Sequence, residues 1–158
     1  MRYNLFTESQ RNFIISESPT DNNIEEYIKI LQQNSINLVI NLTNITEKNT
    51  YDIDKIKNAN IDYLHFPIQD GYVPTDFQIN KLLEFLNRYN SLAFHCAAGL
   101  GRAPLVFAIS YIILFNKKAL DVIEMIREKE QKALNNIQIK YLYNFKRKKY
   151  IGDKCIIS

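Results

Sequence analysis

The sequence predicts one α/β domain with a mostly parallel central sheet flanked by helices. Runs rich in isoleucine, valine, leucine and phenylalanine at residues 36–42, 61–66 and 92–95 indicate buried strands. Segments with helical spacing separate these runs, and strand–helix–strand alternation at this length is typical of a parallel sheet. A chain of 158 residues is long enough for one domain with a substantial core.

Turn and capping residues divide the first half of the chain. Residues 13–15 predict a short strand, and the turn at 18–21 is expected to end as a helix cap. Apolar residues then follow at helical spacing: Ile24, Tyr27, Ile28 and Leu31. The polar residues 43–50 predict a loop, and residues 52–58 predict a short helix.

The second half of the chain is mostly helical. Thr75 and Gln78 form a capping box for a helix over 75–90. Residues 103–115 are apolar on nearly every side, which predicts a buried central helix, and they are too few to span a bilayer. Two more helices are expected over 119–130 and 134–150, with Asn135 or Asn136 as the cap of the last.

The stretch between the strand at 92–95 and the apolar helix carries the strongest chemical signal. His95 and Cys96 end the strand, five small or apolar residues follow, and Arg102 comes next. Glycines in such a turn let backbone N–H groups converge on an anion, and the same field favours a cysteine thiolate. Arg102 adds a planar pair of donors that fits phosphate oxygens. One loop would therefore supply a nucleophile, an oxyanion cradle and a phosphate clamp.

The composition argues against metal and disulfide chemistry. The two cysteines are far apart and lack ligand spacing, so no metal site, cofactor or disulfide framework is predicted. No signal peptide is visible. The net charge is only +3, but residues 140–154 carry six basic residues against Asp153 alone. This basic run is either a solvated helix face or a contact for an anionic surface.

The segment His95-Cys-Ala-Ala-Gly-Leu-Gly-Arg-Ala-Pro104 fits the Cys-x5-Arg signature of protein tyrosine and dual-specificity phosphatases. It resembles most the signature of the prenylated type IVA class, the phosphatases of regenerating liver, and the resemblance runs from about residue 13 to about residue 145. It implies a dual-specificity-like phosphatase fold and a phosphocysteine intermediate on Cys96. The phosphate would be held by Arg102 and by the amides of the preceding loop: Ala97, Ala98, Gly99, Leu100 and Gly101.

The loop at 67–74 supplies the candidate general acid. Phe66-Pro-Ile-Gln-Asp-Gly resembles the family's Trp-Pro-Phe-Asp-Asp-Gly, so Asp70 would protonate the leaving oxygen. Without the resemblance, Asp70 before Gly71 is an ordinary turn residue. Phe66 in place of tryptophan is expected to be a tolerated packing change, whereas Gln69 in place of aspartate removes a charge beside the site.

Ala103 stands where most phosphatases of this type have a serine or threonine that helps the thiolate leave. A methyl group there is expected to slow breakdown of phosphocysteine more than its formation, and the type IVA class shares both the Ala-Pro pair and weak turnover. His95 is expected to shape the loop rather than act as a base. The family's second cysteine, near residue 42, is absent, so we expect Cys96 to over-oxidise.

The chain ends in Cys155-Ile-Ile-Ser158, a Cys-aliphatic-aliphatic-X box in which serine favours farnesyl. The expected organisation is therefore a phosphatase domain at 1–150 and a flexible prenylation tail at 151–158. Lys154 replaces the family's second cysteine, so the basic residues 146–149 would supply the second attachment signal on an anionic membrane. The expected location is the cytoplasmic face of the plasma or endosomal membrane, or the cytosol without the lipid.

A second hypothesis treats the pocket as a docking site with vestigial catalysis. The resemblance supports it, because family members bind membrane proteins of the CNNM type, which mediate magnesium transport, through this region. A lipid phosphatase is disfavoured, since residues 97–101 lack the lysines that bind inositol phosphates. A phosphoprotein substrate is expected and a nucleic-acid partner is not. The sequence leaves open the choice between phosphotyrosine and phosphoserine or phosphothreonine, and whether a homo-oligomer forms.

Overall fold

A computed structural model describes residues 1–48 and 50–152. Its centre is a five-stranded sheet with the strand order β1-β2-β5-β3-β4. The strands are β1 (Tyr3–Glu8), β2 (Arg11–Glu17), β3 (Leu38–Asn41), β4 (Asp62–His65) and β5 (Leu92–Cys96). Only β1 is antiparallel to its neighbour, and the other pairs are parallel. The prediction of a mostly parallel α/β sheet is therefore confirmed.

Helices cover both faces of the sheet. The described part of the chain contains α1 (Ile24–Gln33), α2 (Ile53–Asn58), α3 (Asp76–Arg88), α4 (Arg102–Phe115), α5 (Ala119–Lys129), α6 (Asn136–Asn144) and α7 (Arg147–Ile151). The first two pack on one face, and the other five contribute to the core on the opposite face. None of these helices is long and apolar enough to cross a membrane.

The two cores follow from strand alternation and from one fully apolar helix. Successive side chains of a strand point to opposite faces, so Phe13 and Ile15 enter one core and Ile14 enters the other. Every residue of α4 except Phe115 is buried, which confirms the predicted central helix. Because α4 follows directly on the loop after β5, its burial fixes where that loop lies.

The predicted capping box at Thr75 forms, and of the two caps proposed for the last helix Asn135 is the one observed, in a second box that was not predicted. The Thr75 hydroxyl accepts a hydrogen bond from the Gln78 N–H, and the Gln78 side chain returns to the Thr75 N–H. Asn135 and Gln138 make the same reciprocal pair at the start of α6. The expected cap within residues 18–21 is wrong, because Asn23 is the residue that precedes α1. Its side chain instead accepts the Thr20 N–H at 2.7 Å and stabilises the turn.

The structure differs from expectation at both ends of the chain. Strand β1 was not predicted, and the single helix expected over 134–150 is two helices, since the backbone becomes extended at Phe145. Helix α7 returns onto the domain and buries Ile151, one residue beyond the expected boundary. Residues 153–158 lie outside the described residues, and the predicted lipidation site Cys155 lies among them.

Candidate active site

The candidate site lies between β5 and α4, at the edge of the sheet where its parallel strands end. Cys96 is the last residue of β5, and Arg102 is the first residue of α4. Both side chains are almost fully buried, with exposed fractions of 3% and 2%. Residues 97–101, which we call the cradle loop, connect them. The first turn of α4 has N–H groups without helical partners, and these groups and the helix dipole favour an anion.

The shape of the cradle loop depends on Gly99. Its φ angle is +71°, in the left-handed region, and a Cβ atom there would lie 2.7 Å from the Ser16 carbonyl carbon. Glycine is therefore required both for the turn and for the close approach of β2. Two carbonyls of the loop bind backbone donors: the Ser18 N–H donates to Ala97 at 3.2 Å and the Leu134 N–H to Leu100 at 2.8 Å.

Glu47 holds the guanidinium of Arg102 through two charge-assisted hydrogen bonds. Nη1 donates to Oε1 at 2.5 Å, and Nη2 donates to Oε2 at 3.0 Å. Nη1 also lies 3.4 Å from the Leu42 carbonyl oxygen and 3.3 Å from that of Ile68. The side chain is therefore fixed to the backbone that follows β3 and β4.

Glu47 is not among the residues predicted from sequence. Its only distinguishing signal is that it is the one acidic residue in the loop at 43–50. The hydrogen bond from Arg102 lowers the pKa of Glu47 and so favours the charged carboxylate. Burial lowers the pKa of Arg102, but the bond to Glu47 and the negative charges of Cys96, Glu47 and Asp70 outweigh burial and raise it.

Asp70 reaches the same guanidinium from the acid loop, residues 67–74. Its Oδ1 lies 3.3 Å from Arg102 Nε, as an ion pair without hydrogen-bond geometry, and its side chain is 83% exposed. The loop is held from both sides by side-chain amides. Gln78 Nε2 donates to the Pro67 carbonyl at 2.8 Å, and Asn135 Nδ2 donates to the Gly71 carbonyl at 3.0 Å.

His95 lies behind the cradle loop in a chain of buried polar groups. Its Nε2 is 2.8 Å from the Tyr51 hydroxyl, which donates to the Tyr63 hydroxyl at 3.2 Å. Asn41 Nδ2 donates to the same Tyr63 oxygen at 2.8 Å. Burial, with a smaller contribution from the charge of His65, lowers the pKa of His95 to about 3. His95 is therefore neutral at physiological pH and ties β5 to Tyr51, which follows the loop carrying Glu47.

Of the residues predicted from sequence, the structure brings Cys96, Arg102 and Asp70 to one site. Phe66 is buried in the core, as expected for a packing change, and the Ala103 methyl is fully buried. Among residues 1–48 and 50–152, no group of three or more histidine, cysteine or acidic side chains is placed to hold a metal ion. The site combines a cysteine sulfur, a buried guanidinium, the N-terminus of α4 and a carboxylate at the rim. This combination suits displacement at the phosphorus of a phosphate monoester.

Comparison with known proteins also indicates a phosphatase. The family described as Tc-R-P, a polymorphic toxin system DSP-PTPase phosphatase, matches residues 15–117. Protein tyrosine phosphatase PRL-1 of Leishmania major is 31% identical over 157 residues, covering 92% of this chain and 87% of that protein. PRL-1 phosphatase of Drosophila melanogaster is 31% identical over 148 residues, covering 90% of this chain and 81% of that protein.

A solved protein tyrosine phosphatase structure from Leishmania major superimposes with a TM-score of 0.78 at 29% identity. The match covers 92% of this chain and 99% of that one, so the whole phosphatase fold is shared. With the sequence matches and the Cys96–Arg102 loop, it follows that this chain belongs to the PRL, or type IVA, class of dual-specificity-like protein tyrosine phosphatases.

Proposed function

We propose that the protein hydrolyses phosphotyrosine in protein substrates through a long-lived phosphocysteine on Cys96. The main support for the proposal is that a cysteine sulfur, a buried guanidinium and a carboxylate lie together at one site. The Cys96 sulfur is at the end of β5, Arg102 is buried at the start of α4, and the Asp70 carboxylate lies 3.3 Å from the guanidinium. The names of the curated relatives support a protein tyrosine substrate.

In the first step, the Cys96 thiolate forms a bond to phosphorus while the bond from phosphorus to the tyrosine oxygen breaks. The phosphate takes the place of Asp70 on Arg102, and Asp70 takes up a proton from solvent as it leaves the guanidinium. Asp70 then gives that proton to the leaving oxygen. In the second step, water attacks phosphorus and gives a proton to the Asp70 carboxylate. The sulfur–phosphorus bond breaks, and inorganic phosphate and the thiolate are released.

Slow turnover is the part of the proposal that rests on Ala103. Its methyl is fully buried at the second position of α4, directly after Arg102. A methyl group donates no hydrogen bond to a departing sulfur, so the second step lacks the stabilisation that a hydroxyl would provide. Hydrolysis of the intermediate is therefore the slow step.

The acid and the nucleophile are tested with two substrates. Asp70→Asn should lower kcat/KM about a hundredfold on a phosphotyrosine peptide, and much less on an aryl phosphate whose leaving group needs no proton. Cys96→Ser should abolish turnover of both. Asp121→Asn, an exposed aspartate on α5, is the matched control and should retain activity. Equal losses on both substrates for Asp70→Asn would exclude the acid role.

Membrane attachment through a lipid on Cys155 is the second part of the proposal. The sequence supports it through the terminal box and the basic run, and α7 presents part of that run on the domain surface. Expression in eukaryotic cells should give a farnesyl mass increment and a membrane-bound fraction. Cys155→Ser should lose both while keeping the activity of the soluble enzyme.

One observation favours a second candidate function, docking of an acidic loop from a CNNM-type membrane protein. Asp70 already places a carboxylate beside Arg102 Nε, so a carboxylate occupies the position that is proposed for the phosphate. The test is calorimetric binding of a CNNM-type domain to Cys96→Ala and to Arg102→Met. Tight binding that is lost in Arg102→Met, together with negligible turnover by the unmodified chain, would favour docking over catalysis.

A further inference from the structure

The cradle loop is held by donors that bind its outward carbonyl groups. Backbone N–H groups bind the carbonyls of Ala97 and Leu100. The Ala98 carbonyl is bound instead by a side chain, because Arg2 Nη2 donates to it at 2.5 Å. This third contact therefore depends on the identity of one residue, 96 positions away in sequence.

The direction of the Ala98 carbonyl determines where the Gly99 N–H points. In a trans peptide unit the carbonyl and the following N–H point in opposite directions. A donor that holds the Ala98 oxygen outward therefore aims the Gly99 N–H into the cradle, where phosphate oxygens would bind. Gly99 benefits from this restraint, since a residue without a Cβ atom has more backbone conformational freedom than any other residue type, and here the chain must hold a φ of +71°.

Arg2 is itself positioned by two acidic residues on neighbouring elements. Its backbone N–H donates to Glu17 Oε1 at 2.8 Å, and its Nε lies 3.9 Å from Glu17 Oε2. Its Nη1 lies 4.0 Å from Glu130 Oε2. Residue 2 immediately precedes β1, and the antiparallel pairing of β1 with β2 brings it beside the loop. The strand that was not predicted from sequence thereby delivers a side chain to the site.

We infer that Arg2 is a positioning residue of the phosphate cradle, fixing the Ala98–Gly99 peptide so that the Gly99 N–H faces the bound phosphate. The guanidinium also adds a positive charge behind a loop that must hold a dianion. The inference rests on the proposed function, because it assigns a role in binding the phosphate of that same site.

The test measures binding of inorganic phosphate by calorimetry in a Cys96→Ser background, where turnover plays no part. Because the contact is a charge-assisted hydrogen bond with a half-exposed donor, Arg2→Ala should weaken phosphate binding about fivefold. Arg2→Lys should recover part of the affinity. Lys129→Ala is the matched control, since Lys129 Nζ donates to the Leu5 carbonyl of β1 at 2.8 Å without touching the cradle loop.

Lys129→Ala should bind phosphate normally, and both alanine variants should lose thermal stability to a similar, small extent. Unchanged phosphate affinity in Arg2→Ala would overturn the inference, and so would an equal loss in Lys129→Ala. In the active chain, Arg2→Ala should lower kcat/KM by the same factor as the affinity. Phosphate binding without any turnover by the active chain would reject the proposed catalysis and leave the assignment of Arg2 standing.

Discussion

Glu47 and Arg102 form a paired salt bridge across 55 positions of sequence, with contacts of 2.5 and 3.0 Å. Arg102 is almost fully buried, whereas Glu47 keeps about a third of its side chain exposed. Because Glu47 binds Nη1 and Nη2, Nε is the nitrogen that faces Asp70, with Asp70 Oδ1 at 3.3 Å. Glu47 therefore sets the orientation of the guanidinium, and the free edge of Arg102 is the one available to phosphate.

Removing the charge of Glu47 should affect both stability and activity. Glu47→Gln leaves a buried guanidinium without its strongest partner, so the free energy of unfolding should fall by about 2 kcal/mol and kcat/KM by tenfold or more. Denaturant unfolding and steady-state kinetics measure the two effects. Glu25→Gln is the matched control, because it removes the carboxylate from an exposed pair with Lys55 and should change neither quantity.

Gly99 should tolerate no side chain. In Gly99→Ala the added Cβ meets the backbone of Ser16 at 2.7 Å, and the left-handed φ adds strain, so unfolding should become easier by about 2–4 kcal/mol. Phosphatase activity should be lost, since the loop can relieve the clash only by moving. Gly152→Ala shares the positive φ but meets nothing within 4 Å, so it should cost only the backbone strain, about 1–3 kcal/mol, and retain activity.

The buried His95 predicts how stability depends on pH. Its pKa is about 3 in the folded chain against about 6.5 when unfolded, so the unfolded chain binds more protons between these values. The free energy of unfolding should therefore fall as pH drops from about 6.5 towards about 3, by up to about 1.4 kcal/mol per pH unit.

His95→Gln should reduce that slope when urea unfolding is measured across the same pH range. His65→Gln is the comparison variant. His65 is exposed, does not hydrogen-bond Tyr51 and contributes less than burial to the low pKa of His95, so this variant should change the slope less than His95→Gln does. An unchanged slope in His95→Gln would show that carboxylates alone determine the acid sensitivity.

Features that depend on neighbouring residues could be predicted from the sequence. The Thr75–Gln78 capping box needs only a three-residue spacing, and the apolar character of α4 is visible in its composition. The placement of Cys96 and Arg102 on either side of one loop could be predicted because a short strand, a glycine-containing loop and a helix start lie together in sequence.

Features that depend on contacts between residues far apart in sequence could not be predicted. Glu47 meets Arg102 only because β3 and β5 are neighbours in the sheet, and nothing in the polar loop at 43–50 indicates that pairing. Strand β1 lacked a hairpin signal, since the turn residues Ser9 and Gln10 adopt φ angles of 48° and 62° without the usual glycine or asparagine. Arg2 was missed along with that strand. The break between α6 and α7 falls at Phe145, where neither glycine nor proline marks a helix end.

The central claim is a phosphocysteine on Cys96 that forms faster than it breaks down. It is tested most directly by intact-protein mass spectrometry of samples quenched shortly after mixing with a phosphotyrosine peptide. The unmodified chain should carry one phosphate adduct that is absent from Cys96→Ser. Ala103→Ser should show less adduct and faster release of phosphate, because the hydroxyl assists the departing sulfur. Release of phosphate without any adduct, or turnover by Cys96→Ser, would contradict the account.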